Sequence, residues 1–315
     1  MHDITIIGSG PAGYTAAIYA ARADLAPIVF EGVPSGGALT QTTEVENFPG
    51  FPGGVQGPEL MGMMRSQAER FGATLIADEA DRFTTDGGTF TVGSQSLSVD
   101  SRAVILAMGS RYRMLGLPNE SRLLGHGVSA CATCDGFFFK NKVVAVVGGG
   151  DSAMEEAIFL TRFAERVIVV HRRVKLRASA IMAERALSHP KISFLWNTTV
   201  EDVLGGDSVT ALGVVDRAAA RAYEIRCDGL FVAIGHEPRS ELVSRHVRLD
   251  PEGYVRVEHG STATNLSGAF ACGDLVDHRY RQAITAAGSG CAAALDAEAW
   301  LSRITASAGD SAPAA

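Results

Sequence analysis

Cysteine is scarce in this chain: five residues in 315, an odd number, so a framework of disulfides does not hold it together. A surplus of cations is missing as well. The 28 Lys and Arg face 35 Asp and Glu, and the resulting net charge of -7 gives no general attraction for nucleic acid or other polyanions. Long apolar runs are also lacking; residues 103–108 and 143–147 have the length of buried strands, well short of the ~18 residues needed to cross a bilayer. The first residues pass directly into a strand-like run and a glycine turn, with no basic leader or cleavage pattern. The expectation is a cytoplasmic protein with no membrane and no nucleic acid among its partners.

What the chain does contain is apolar surface and glycine. Hydrophobic residues make up 46%, and the 35 glycines follow no collagen-like period, which points to an α/β protein of about two domains.

Two distant stretches share one plan. Residues 4–7 form an apolar β-type run, Gly8-Ser9-Gly10-Pro11-Ala12-Gly13 a glycine turn, and residues 14–22 an Ala-rich helical segment. Residues 143–147, Gly148-Gly149-Gly150-Asp151-Ser152-Ala153 and residues 154–163 repeat it. Each is followed by a further apolar run, at 27–30 and 167–170, which completes a βαβ unit. Strand, GxGxxG or GxGxxA turn and helix start are the context of a dinucleotide site: the glycines turn tightly and let backbone amides approach a pyrophosphate, and the helix end offers unpaired donors.

The residues at the end of each second strand separate the ligands. Glu31, 18 positions after Gly13, sits where a carboxylate accepts ribose hydroxyls and repels a 2′-phosphate. His171 stands at the same offset from Ala153 and opens a run with Arg172, Arg173 and Arg177, and arginines suit a phosphate. The first turn is therefore assigned to FAD and the second to NADPH.

Elsewhere, residues 47–54 read as a Pro/Gly-rich loop and Asp86-Gly87-Gly88 as a turn between strands. Residues 103–109 and 229–235 each read as a buried strand ending at Gly, and 268–274 as a strand running into a Gly-Asp turn. Residues 280–300 have helical spacing, 302–315 read as a frayed tail, and Met61, Met63 and Met64 as filling of a helix core.

Just before the second turn stands Cys131-Ala132-Thr133-Cys134-Asp135. A CxxC loop suits a short disulfide with thiolate chemistry, and Asp135 adds a proton donor or acceptor. Half a zinc site and a buried structural pair are the rival readings, although no second CxxC or His pair at finger spacing accompanies it.

Taken together, GSGPAG at 8–13, GGALTQTTEVENFPG at 36–50, CATCDG at 131–136, GGGDSAMEEA at 148–157, HRR with Arg177, AIGHEP at 233–238, and ACGD with YRQA at 271–283 resemble the low-molecular-weight, bacterial-type thioredoxin reductases across nearly the whole chain. The resemblance implies two Rossmann-like domains, an NADPH domain at 114–243 inserted between two parts of an FAD domain, 1–113 and 244–315. It places FAD against Gly8, Gly10, Pro11, Ala12, Gly13, Glu31, Gln41, Asn47, Gly273, Asp274, Arg281, Gln282 and Ala283. It places NADPH against Gly150, Asp151, Ser152, Glu155, His171, Arg172, Arg173 and Arg177. Cys131 and Cys134 are then the redox disulfide, with Cys134 nearer the flavin, and Asp135 manages protons. Oxidised thioredoxin is the implied electron acceptor and a homodimer the implied assembly. The family also implies a rotation between domains, because nicotinamide and dithiol share one flavin.

Some positions depart from the family wording. Cys272 stands where Ala is frequent, so a thiol falls beside the expected flavin site, inert or oxidation-sensitive. Glu237 and Arg239 alter the AIGH neighbourhood. Cys227 and Cys291 have no motif partner and read as packing residues. Phe137 to Phe139 suit either presentation of the redox loop to a protein or a buried junction. A flavin-dependent dithiol oxidase, a reductase of another dithiol protein and a non-catalytic redox sensor are the competing functions; the arginine cluster disfavours the oxidase, which has no need of NADPH.

Overall fold

A computed structural model describes residues 1–309 of the chain. They divide into two compact units, one made of 1–111 and 237–309 and the other of 112–236. The chain crosses between them in the strands Ser110–Tyr112 and His236–Pro238, which pair as a two-stranded ribbon. The first crossing lies close to the expected 113. The second comes earlier than 243, because Val243 is fully buried in the first unit's core with Phe83, Phe90 and Val255.

In the first unit a seven-stranded sheet runs in the order Thr74–Ile76, Ile28–Phe30, His2–Ile7, Ser98–Leu106, Thr89–Gly93, Arg82–Asp86, with Ala269–Ala271 also paired to Ser98–Leu106. The strands nearest the glycine turn are parallel, and the hairpin turning at Gly87 and Gly88 is antiparallel. Alternation places Ile4 and Ile6 on one face, against Ala16, Ala17 and Ala20 of the helix Pro11–Arg22 and Ala293, Ala294 and Ala297 of the helix Ala283–Gly309. Alanine lets these helices lie close to the sheet and to each other. Ile7, Leu106 and Phe90 cover the other face. Each fully buried Ile or Phe contributes about 1.5–3 kcal/mol of burial.

The inserted unit repeats the device with five parallel strands, in the order Val128–Ser129, Gly229–Val232, Val143–Val147, Arg166–Val170, Ile192–Leu195. Val144 and Val146 face the helix Asp151–Leu160. Ala145 faces a three-stranded antiparallel sheet, Thr198–Leu204 with Ala211–Asp216 and Arg221–Arg226, which supplies Val203, Leu212 and Val214. The pairing registers of the two units correspond: Ile7 lies opposite Phe30 and Leu106, and Val147 opposite Val170 and Val232.

Met61 and Met64 are buried, as helix-core residues should be, but Met63 is exposed on the opposite side of the helix Gly57–Arg70. The C-terminal helix continues to Gly309, past Ser302, where a frayed tail is expected, and the rest of that tail, 310–315, lies outside the described residues. Among the described residues no helix is long and apolar enough to cross a membrane.

Candidate functional site

Both glycine turns stand at the carboxyl end of a central parallel strand, where the next segment must leave the sheet and start a helix. Gly8 donates its amide to the Phe30 carbonyl at 2.8 Å, and Gly148 to that of Val170 at 3.3 Å. The first turn admits no side chain at Gly13: an added Cβ would lie 1.9 Å from the Gly8 carbonyl oxygen. Above the turns there is room, since a Cβ at Gly10 or Gly150 would meet nothing within 4 Å. Gly10 and Gly150 are the residues preceding the helices Pro11–Arg22 and Asp151–Leu160. Pro11 occupies a position where a helix needs no amide, and the following amides of each first turn have no carbonyl of their own helix to bond. Open space, free amides and the positive end of a helix fit a pyrophosphate.

Around the first turn, Ala12 packs beneath Gly273, whose added Cβ would come within 2.9 Å of the Ala12 methyl. That contact brings the Gly-Asp turn of the late segment onto the early helix. Asn47 and Gln282, 235 positions apart, are joined by a hydrogen bond from Asn47 Nδ2 to Gln282 Oε1 at 3.3 Å. Arg281 donates its amide to Asp277 and its guanidinium to the Tyr254 hydroxyl, and Ala283 begins the C-terminal helix. Gln41 is exposed at the end of the 3-10 turn Gly37–Gln41. The Asp274 carboxyl is pushed up to about 6 by burial and by Asp277, with Arg281 opposing the rise.

Glu31 lies at the end of the second strand as expected, and its environment is crowded. Tyr14 donates its hydroxyl to Oε1 at 2.6 Å, and Arg65 donates Nε to Oε1 at 2.9 Å and Nη2 to Oε2 at 3.2 Å. Ser9 links its neighbourhood, donating Oγ to the Glu31 carbonyl and accepting the Gly36 amide at 2.7 Å. Sequence reasoning missed these three partners. Ser9 and Tyr14 lie within or beside the glycine motif and were within reach of it, but Arg65 is 34 positions from Glu31 and only the fold brings it there.

In the inserted unit, Arg172, Arg173 and Arg177 are exposed, and among the described residues none forms an ion pair. His171 is buried instead. Its Nε2 lies 3.0 Å from the Lys175 carbonyl oxygen, its ring meets Trp196 edge-on, and a Cβ on Gly149 would strike the imidazole at 2.2 Å. The Gly149 carbonyl accepts the amides of Arg177, at 2.6 Å, and Ala178, at 3.1 Å. Asp151 is similarly engaged, accepting the amide and hydroxyl of Ser179, which hold its carboxyl below the usual range. The arginine loop is thus stapled to the glycine turn from three sides. Ser152 and Glu155 are exposed on the helix start.

Cys131 and Cys134 form a disulfide with Cα atoms 5.3 Å apart, closing the short helix Ala132–Asp135 of the inserted unit. Cys134 is exposed and Cys131 half-buried. Burial raises the Asp135 carboxyl above the ordinary carboxylate range, while a hydrogen bond from Ser129 acts in the opposite sense. Ser129 also accepts the Cys131 amide at 3.0 Å, so one hydroxyl serves both ends of the redox loop. Phe137 and Phe138 are exposed beside it, and Phe139 is buried against Phe231.

The other thiols differ from this pair. Burial pushes Cys272 and Cys227 up to about 12, which keeps them protonated and poor nucleophiles at neutral pH. Cys272 packs among Ile6, Ala12 and Ala16. Cys291, expected to be a packing residue, is half-buried.

Comparison with known proteins agrees with this arrangement. The model of the family "Pyridine nucleotide-disulphide oxidoreductase" matches residues 2–290. A thioredoxin reductase of Mycolicibacterium smegmatis is 58% identical over 96% of this chain and 97% of its own length. A bifunctional thioredoxin reductase/thioredoxin of Mycobacterium leprae is 57% identical over 96% of this chain and 66% of its own. Among solved structures, a thioredoxin reductase from Streptococcus pyogenes superposes with a TM-score of 0.92 at 38% identity, covering 96% of this chain and 99% of that one.

Proposed function

The chain belongs to the pyridine nucleotide-disulphide oxidoreductase family, among its thioredoxin reductases, and from that premise we propose how its own residues carry electrons from NADPH to oxidised thioredoxin. One observation carries the reading most directly: the Cys131–Cys134 disulfide is built into the same unit as a glycine turn braced against three exposed arginines. A bound flavin supplies the conversion of a two-electron hydride into dithiol chemistry.

The amides that follow Gly10 and Gly150 bind the pyrophosphates of FAD and NADPH respectively. Glu31 takes the adenosine ribose of FAD, and Asn47, Asp274, Arg281 and Gln282 enclose the remainder. Arg172, Arg173 and Arg177 hold the 2′-phosphate, and because they are exposed they meet it without displacing a protein carboxylate. Reduction of the disulfide adds two electrons and two protons and leaves two thiols. One thiolate then attacks the thioredoxin disulfide, forming a mixed disulfide and releasing one thioredoxin sulfur as a thiol. The second thiolate closes the Cys131–Cys134 bond again and releases dithiol thioredoxin. Asp135, its carboxyl raised by burial, holds and returns a proton beside these sulfurs. The exposed Phe137 and Phe138 supply apolar surface for the protein substrate. A cytoplasmic location and a homodimer belong to the same reading.

The test is NADPH consumption by the yellow protein with oxidised thioredoxin, beside NADH and a Cys134→Ser variant. NADPH-preferring turnover that disappears in the variant is expected. Flavin reduction without turnover would move the search to another dithiol acceptor, and turnover retained by Cys134→Ser would refute the role of the pair.

A further inference from the structure

Asp151 is the first residue of the helix Asp151–Leu160, exposed at the mouth of the second glycine turn. A carboxylate there favours the helix end for itself but repels any phosphate brought to the same amides. What it gives the site must therefore come from its other contacts. Its Oδ1 accepts both the Ser179 amide, at 2.9 Å, and the Ser179 hydroxyl, at 2.7 Å. Ser179 stands just before the helix Ala180–Leu187, where a serine hydroxyl ordinarily accepts an amide of the helix it precedes. Here the hydroxyl turns to Asp151 instead, and the helix goes without that cap. A local preference is given up for a contact across 28 positions of sequence.

That contact continues a series. The Gly149 carbonyl takes the amides of Arg177, at 2.6 Å, and Ala178, at 3.1 Å, and Asp151 takes the next amide along. On the other side of Arg177, Leu176 is buried in the core that holds Val146 and Met154. The backbone of Arg177 is therefore pinned before and after the exposed side chain. Arg172 and Arg173 rest on a different support. The His171 carbonyl accepts the Thr198 amide at 3.0 Å, and the Arg173 carbonyl accepts the Asn197 amide at 3.3 Å. The cluster thus has two mounts, and Asp151 belongs to the one that carries Arg177.

Building on the reading of this turn and its arginines as the NADPH site, we propose that Asp151 is a positioning residue for the 2′-phosphate: through Ser179 it fixes Arg177 relative to the glycine turn, so that one nucleotide meets both. This replaces the direct contact with NADPH that the resemblance implies for Asp151. Selectivity for the phosphorylated nucleotide depends on the Asp151–Ser179 pair, because an arginine already in place binds without the cost of ordering its loop. Binding of the part common to NADPH and NADH does not depend on it.

The test is calorimetric binding of NADP⁺ and NAD⁺, which differ only in the 2′-phosphate, to the oxidised holoenzyme. Asp151→Ala should weaken NADP⁺ about tenfold and Ser179→Ala, which keeps the amide bond, about threefold, with NAD⁺ changed less than about twofold. Asp151→Asn, whose side-chain oxygen still accepts both Ser179 donors, should bind NADP⁺ within about threefold of the wild type. Added to Arg177→Gln, Asp151→Ala should cause no further loss, whereas added to Arg173→Gln it should multiply the loss. Wild-type NADP⁺ affinity in Asp151→Ala would overturn the proposal. An equal loss for both nucleotides would show a shared ligand contact or a merely structural role, and would overturn it as well. So would an Asp151→Asn variant as weak as Asp151→Ala, or multiplying effects of Asp151→Ala and Arg177→Gln. Wild-type discrimination between NADP⁺ and NAD⁺ after Arg172, Arg173 and Arg177 are all replaced by Gln would instead remove the NADPH reading of the turn itself.

Discussion

The two glycine turns have one backbone design and opposite chemistry at the same offset. In the outer unit, the residue after the second strand is Glu31, its carboxylate fastened by a cation from another helix. In the insert it is His171, whose ring lies between Gly149, Trp196 and the Lys175 carbonyl, and the cations come from the loop after it. The comparison teaches that the position at the end of the strand has no fixed duty. It is a carboxylate buried against Tyr14 and Arg65 in one unit and a brace for a cationic loop in the other. The turns differ internally as well: Gly13 faces the Gly8 carbonyl, whereas Ala153 is tolerated at the corresponding place.

The sharpest way to break this comparison is to exchange the third residues. Gly13→Ala is expected to lose bound flavin and at least ~1–3 kcal/mol of stability from overpacking, whereas Ala153→Gly should cost about 1 kcal/mol and leave flavin content unchanged. Flavin absorbance per chain and denaturant midpoints measure both, and a yellow, stable Gly13→Ala would contradict the difference between the turns. Next in size is removal of the cations. Replacing Arg172, Arg173 and Arg177 together by Gln should raise KM for NADPH about a hundredfold while NADH kinetics change little; an equal loss for both nucleotides would refute the phosphate assignment.

A smaller effect isolates the brace. Gly149→Ala drives a methyl into the imidazole and should raise KM for NADPH about tenfold with flavin content and kcat retained, the separation of a loop misplaced rather than a fold lost. An unchanged KM would mean that His171 does not position the arginines. Smallest is the effect at the redox loop, where Ser129 lowers the Asp135 carboxyl against the upward pull of burial. Ser129→Ala removes that opposition, so the carboxyl should rise further. The Asp135 limb in the pH profile of thioredoxin reduction should then move to higher pH, and an unmoved profile would show that Asp135 is not the group being titrated.

Much of this was legible in the sequence because it is local. Strand, turn and helix follow each other within each βαβ unit, and where helices are expected at 14–22 and 154–163 the structure forms them at Pro11–Arg22 and Asp151–Leu160. The Gly87-Gly88 hairpin was legible for the same reason, as was the pairing of two cysteines three positions apart. The Asn47–Gln282 contact entered only through a resemblance that already named both residues. Arg65 had no such guide: its partner is non-local, and an arginine on an amphipathic helix reads as a solvated residue until the fold places it. The inward turn of His171 was hidden too, since a histidine beginning a run of arginines reads as one more cation until Gly149 and Trp196 enclose it. The unit boundary at 236–237 was displaced for a packing reason, because Val243 belongs to a core with Phe83, Phe90 and Val255 of the outer unit.

The ribbon through which the chain enters and leaves the insert has a bearing on synthesis. Residues 112–236 are contiguous, so the ribosome can release a complete inserted unit while the outer unit still lacks its last strand, Ala269–Ala271, and the long helix Ala283–Gly309 that covers its first. The outer unit is begun first and finished last. Until that helix arrives, the part of the early helix that packs on Ala293, Ala294 and Ala297 has no partner on the nascent chain.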